Sequence, residues 1–170
     1  SELTDEHLLN EYYQLAKLYI GTYPDKGKEA SHKLLEASLA ADSLEWALYA
    51  LQLLITHSES VNDYENGVAY SDEAVRISKL AGRPWDAAYF LGLKGEAEVK
   101  LGRFYDALES YHEGIELTAN DSALLSYRVA YITNIGGIHH YLGDDLKALD
   151  HFLQSYYLKK EHNLTSGIIP

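Results

Sequence analysis

The residues that could do chemistry sit near the end of the chain. His139 and His140 are adjacent, and Asp144 and His151 follow within twelve residues. Imidazoles and a carboxylate at such spacing invite a metal reading. Neighbouring side chains on a helix diverge by about 100°, so His139 and His140 cannot easily face one ion. His139 falls on the packing face and His140 near the opposite, open face. No metal and no cofactor are therefore expected. A serine hydrolase would need Ser, His and an acid converging on a strained turn. All three residue types occur, but no Gly-x-Ser-x-Gly elbow does. Phosphate-cradling glycine loops are missing as well, because Gly92-x2-Gly95 and Gly136-Gly137 lie inside helical patterns. No enzyme is expected.

The bulk properties narrow the field further. The chain has 170 residues, of which 46% are hydrophobic and 24% charged, the balance of a folded single domain. Cysteine and methionine are both absent, which excludes disulfides, zinc thiolates and thiol nucleophiles. The net charge is −12, from 26 acids against 14 Lys and Arg. The bases are scattered singly, so there is no stripe to neutralise nucleic-acid phosphates, and an acidic membrane surface would repel the segment. No run of about 18 apolar residues could span a bilayer. Cytoplasm and periplasm both suit such a composition. Beginning at Ser1, the chain reads as a processed or excised segment.

Two segments then reveal the elements that carry these residues. Leu101-Gly102-Arg103-Phe104-Tyr105-Asp106-Ala107-Leu108 and Leu142-Gly143-Asp144-Asp145-Leu146-Lys147-Ala148-Leu149 each end one helix and begin another. Ala107 and Ala148 are 41 residues apart, and each is followed by an aromatic (Tyr111, Phe152) and then a small residue (Gly114, Ser155). Upstream, Gly67-Ser71-Ala74 and Ala30-Leu34-Ala37 repeat the spacing more faintly. Small residues let helices approach closely, and a large one a turn away fills the gap. Punctuation agrees. Asp42 with Glu45 and Asn62 with Glu65 read as capping boxes, Pro84 suits a first helical turn, and Asn120 to Ser122 supply an N-cap. Gly102 and Gly143 stand where a helix must end in a left-handed residue. Helices are predicted over about 5–21, 27–40, 43–58, 64–80, 84–101, 104–118, 122–142 and 145–162.

Ile132-x2-Ile135-Gly136-x2-His139, followed by Ala148-x3-Phe152, resembles the tetratricopeptide signature Trp-x2-Leu-Gly-x2-Tyr then Ala-x3-Phe. His139 replaces the usual Tyr. In the third hairpin a strict frame puts Lys94 and Glu98 in slots for Leu and Tyr, and a one-residue shift puts Leu93 and Ala97 there. The resemblance covers the whole chain as architecture and about 86–162 as motif. It implies an all-α, right-handed superhelical solenoid of about four hairpins, roughly 5–40, 43–80, 84–118 and 122–162, within a single domain over 1–170. Residues 163–170 are similar to the start of a further repeat or a linker in regulators of bacteria, so the chain is expected to stop before its natural end.

The same resemblance puts the first helix of each pair on the concave side. Ligand-binding residues are then Thr133, Asn134, Gly137, His140 and Tyr141. Chaperone-binding relatives clamp two carboxylates with Lys, Asn and Arg. Asn134 fills the Asn slot, but its helical neighbours include no Lys or Arg. A neutral or basic protein or peptide is thus expected rather than an acidic tail. The implied function is a non-catalytic binding module, the sensory or scaffolding part of a larger signalling protein of bacteria. The alternative is a structural module that homodimerises and positions an attached output domain. Tyr12, Tyr13, Tyr19 and Tyr23 on the first helix form either a docking face or a plug for the core.

Overall fold

The computed structural model describes residues 2–164, with side chains from Glu6 onward. Eight helices follow one another: α1 (Glu2–Ile20), α2 (Pro24–Ala40), α3 (Leu44–Ser60), α4 (Tyr64–Leu80), α5 (Pro84–Lys100), α6 (Phe104–Thr118), α7 (Leu125–Tyr141) and α8 (Asp145–Glu161). A single 3-10 turn, Ser122–Leu124, precedes α7, and no strand occurs among the described residues. Each helix packs on its neighbour in sequence, while α1 also touches α3 and α5 touches α7. This is the stacking of a repeat solenoid, in which no hairpin buries its apolar face alone. No described helix is long and apolar enough to cross a membrane. Of the expected extra repeat or linker, residues 165–170 lie outside the described residues.

Most of the turns share one geometry. Asp42, Asn62, Gly82, Gly102, Gly143 and Asn163 all have positive φ. The amide of the next residue then reaches back to a carbonyl five positions earlier, as in Ser43 N to Ser38 O at 2.8 Å and Asp144 N to His139 O at 2.9 Å. That bond satisfies a helix-end carbonyl and fixes the angle between successive helices. It also corrects two expected caps. Asp42 and Asn62 are not N-caps but the left-handed residues that end the preceding helices; the caps are Ser43 and Asp63. Asp and Asn tolerate this region better than other residues with side chains, which lets them do the work that glycine does in the later turns. Pro24 starts α2 three residues earlier than expected, because proline's fixed φ suits a first helical position.

The core is continuous but differs along the stack. Leu9, Leu34 and Ala50 join α1, α2 and α3. Leu51, Ile55, Ala74, Phe90 and Leu91 join α3, α4 and α5. Ala107, Tyr111, Tyr131, Ile135 and Ile138 fill the α6–α7 junction. Ala107 and Ala148 are both buried at the same position of successive hairpins, 0% and 3% exposed. Tyr12 and Tyr13 close the first end of the core, Tyr13 edge-on to Trp46, whereas Tyr23 is exposed.

Candidate functional site

Three contacts fix the frame of the second half. A Cβ on Gly95 would overlap the Tyr111 ring, one on Gly114 the Tyr131 ring, and one on Gly136 the Phe152 ring. Gly95 and Gly136 are 41 residues apart and do the same job, so the strict frame holds for the third hairpin. Lys94 and Glu98 therefore occupy the slots expected for Leu and Tyr. They fill them as polar partners: Ser110 donates to Glu98 at 2.7 Å, and Lys94 lies between Glu98 (3.8 Å) and Asp72 (2.8 Å). Burial pushes the Glu98 carboxyl above the ordinary glutamate range, against the opposing pull of Ser110 and Lys94. Serine and glutamate here tie α5 to α6 within the packing.

The tyrosines that rest on these glycines carry polar tips across the stack. Tyr131 donates to the Ala88 carbonyl, linking α7 to α5. The Tyr111 phenol is within hydrogen-bonding reach of Asn134. Burial first, and the Glu96 charge second, raise the Tyr111 pKa well above the usual phenol value. Above this floor lies an open concavity of about 780 Å³ between α5 and α7. Glu96 and Lys100 stand on its α5 side; Thr133, Asn134, Gly137 and Tyr141 line its α7 side; Phe104 and Phe152 contribute rings from the second helices. Tyr141 is 74% exposed and leans on Phe104 with ring centroids 4.7 Å apart. Nothing would lie within 4 Å of a Cβ on Gly137, so backbone is accessible there. A smaller recess lined by Glu59, Tyr64, Glu96 and Lys100 continues the groove toward α3. Burial and the nearby Glu96 both raise the Glu59 pKa.

Four of the five residues singled out from sequence thus meet in one concavity. Thr133 lines it, but its hydroxyl is engaged inward with Val129 O at 2.9 Å and Ser155 Oγ at 2.8 Å. His140 lies outside it. It is exposed, and its Nδ1 is 2.8 Å from Asp145 at the start of α8. Its repeat equivalent Val99 does line the groove, because α7 stands beside α5 and no described helix stands beside α7 in the same way. His139 instead packs inward, its ring parallel to His151 with centroids 5.4 Å apart. Asp144 caps α8 through the Lys147 amide, so His139, His140, Asp144 and His151 do not converge. Among the described residues no group of three or more His, Cys, Asp or Glu could hold a metal ion.

Sequence reasoning missed Glu96 and Lys100. They are the 41-residue equivalents of Gly137 and Tyr141, so shifting the last hairpin's frame back by one repeat finds them. The expectation that no basic residue accompanies Asn134 held only along α7; Lys100 supplies one from the neighbouring helix.

No family model and no curated protein sequence matches the chain. Solved structures do. Aspartyl phosphate phosphatase F from Bacillus subtilis superposes with a TM-score of 0.76 at 15% identity, covering 91% of this chain and 41% of that one. The apo form of RapI gives 0.79 at 10% identity, covering 92% and 44%. BtubC from P. vanneervenii gives 0.79 at 17%, covering 98% and 67%. The chain therefore spans less than half the length of the first two. Likeness at such identities shows fold alone, and the fold is an all-helical repeat solenoid of the tetratricopeptide type.

Proposed function

We propose that this chain is a non-catalytic module that holds an extended protein or peptide segment in the α5–α7 groove. The carrying observation is the convergence, in one open concavity, of an amide, an accessible glycine backbone and a set of aromatic rings. The Asn134 amide can donate and accept, which suits a main chain running in either direction. Gly137 allows close approach, and Tyr141, Phe104 and Phe152 offer flat apolar surface for a side chain of the ligand. Glu59 and Glu96 outnumber Lys100 at the α3 end, so a neutral or basic segment is favoured over an acidic one. The module serves as the sensory or scaffolding part of a larger signalling protein of bacteria. Similar folds within longer chains, one of them from Bacillus subtilis, support that setting.

The test is selection of a random peptide display library on the immobilised domain, followed by fluorescence anisotropy of the enriched peptides. Aromatic residues beside Lys or Arg are expected to dominate. Tyr141→Ala removes an exposed ring and should weaken binding about tenfold, roughly 1.4 kcal/mol, with an unchanged melting temperature. Asn134→Ala should weaken it further, with some loss of stability through Tyr111. Enrichment of Asp and Glu, or binding indifferent to both variants, rejects the groove.

A further inference from the structure

Two polar pairs occupy the same slot in successive hairpins. Glu98 and Ser110 stand 41 residues before His139 and His151. The first pair joins α5 to α6 by a hydrogen bond of 2.7 Å. The second joins α7 to α8 by stacked rings, parallel within 3° and with centroids 5.4 Å apart. Both imidazoles are partly buried. The two slots answer acid in opposite ways. A proton on Glu98 removes a buried charge. Protons on both histidines create two like charges in facing planes, partly shielded from water. Neutral, the rings pack face to face; charged, they push α8 away from α7.

The surroundings add to that push. Burial lowers the His151 pKa most, then the His139 ring, then the exposed His112 of α6, so imidazoles from three helices act on one another. Asp150 and the Gln154 side chain, both on α8, pull the other way. Asp144 faces His139 from the start of α8, but its carboxylate is already shared between the Lys147 ammonium at 2.8 Å and the cap of that helix. We propose that the His139–His151 stack is a pH-sensitive latch between α7 and α8, closed while both rings are neutral and released when acid charges them. The residues beside His151 carry the release to the groove. Phe152 lines the concavity and lies against Gly136, and Ser155, one turn on, bonds Thr133 at 2.8 Å. An α8 that leaves α7 takes the Phe152 ring with it, so acid weakens capture there; this consequence rests on the α5–α7 groove being the binding site. The folded His151 value is lowered, so the latch holds fully above the ordinary histidine pKa of about 6.5 and is lost as pH falls through the lowered value.

Hydrogen exchange of the ligand-free chain at about pH 7.5 and about pH 5.5, corrected for the intrinsic rate of each amide, reads the latch directly. Acid should raise the opening of α8 about tenfold relative to α5 and α6, the equivalent of one pKa unit between closed and open states. His139→Tyr with His151→Phe keeps two flat rings and removes both charges, and should abolish the difference. In His139→Tyr alone the His151 ring, followed by NMR, should titrate at a higher pH than in the parent, a shift that a purely structural pair would not give. Exchange of α8 that tracks α5 and α6 in the parent overturns the proposal, whether or not the variants fold. So does equal acid sensitivity in the folded double variant. Peptides enriched on the domain at about pH 7.5 should bind the parent about tenfold more weakly at about pH 5.5, and the double variant about equally at both. A fall that persists in the double variant assigns the effect to Glu59 and Glu96 and overturns the link to the groove. A library that yields no binding peptide defeats the groove reading alone, since the exchange result still decides the latch.

Discussion

In the first half of the stack, α2, α3 and α4 meet through Leu34, Leu51, Leu54, Ile55 and Ala74, aliphatic side chains with no polar tip. In the second half, α5 to α8 meet through tyrosine and phenylalanine rings seated on Gly95, Gly114 and Gly136. Both arrangements bring helices close, but they leave different surfaces behind. Aliphatic packing ends where the core ends. A tyrosine reaches farther, and its hydroxyl needs a partner when buried. Tyr131 finds the Ala88 carbonyl and Tyr111 reaches Asn134, so the second half gains a cross-link between the first helices α5 and α7 and a polar floor under the groove. The same half carries the readable motif, because a ring on a glycine is a more restrictive pair than leucine on alanine. Gly67 shows the contrast: a Cβ there would meet Ala97 Cβ at 3.6 Å and Ser58 Cβ at 3.9 Å, ordinary contact distances.

The strongest way to break this comparison is to fill the glycine slots. Gly114→Leu and Gly95→Leu press on rings only 1% exposed and anchored by hydrogen bonds. Each should cost about 3 kcal/mol, a fall in melting temperature of roughly 6–12 °C. A melting temperature within a degree of the parent would mean that the rings are not locked. Gly136→Leu should cost less, roughly 1–2 kcal/mol. Its would-be Cβ lies 2.8 Å from Phe152, but that ring is 40% exposed and can swing outward. A larger loss at Gly136 than at Gly114 would reverse the ranking and show that the Phe152 ring cannot swing outward. Gly67→Ala sharpens the other side. It should raise stability by roughly 0.5–1 kcal/mol, because alanine favours the helix and meets no obstacle; a loss would show tighter packing in the first half than its contacts indicate.

The smallest effect concerns Glu98. Its folded pKa is raised, chiefly by burial, so the folded state holds the proton more tightly than the unfolded chain. Stability from this group is greatest at acid pH and is lost as pH rises from the ordinary glutamate range through the raised folded value. Glu98→Gln keeps an acceptor for Ser110 and removes the titration. Melting curves of parent and variant should lie closest at pH 4, with the variant gaining relative to the parent toward pH 8. A difference that does not change with pH would show that Lys94 cancels the burial.

Much of this was legible in the residues themselves. The 41-residue spacing of Ala107 and Ala148, and the glycines that close α5 and α7, belong to single helices and single turns, where geometry is local. The expected caps at Asp42 and Asn62 were displaced by one residue because the types that cap a helix also tolerate the left-handed conformation that ends one. Lys94 and Glu98 look wrong for a buried helical face until Asp72 and Ser110, on other helices, are seen to satisfy them. His140 looks concave on a helical wheel, yet the wheel does not say which neighbour stands beside α7.

Sequence alone therefore determined the helices, their order and their repeat, since periodicity and turn chemistry act over a few residues. Which residues share the groove was decided by tertiary structure. Glu96 and Asn134 are some forty residues apart in sequence and share the groove because α5 and α7 pack side by side, and Phe104 meets Tyr141 because α6 packs on α7.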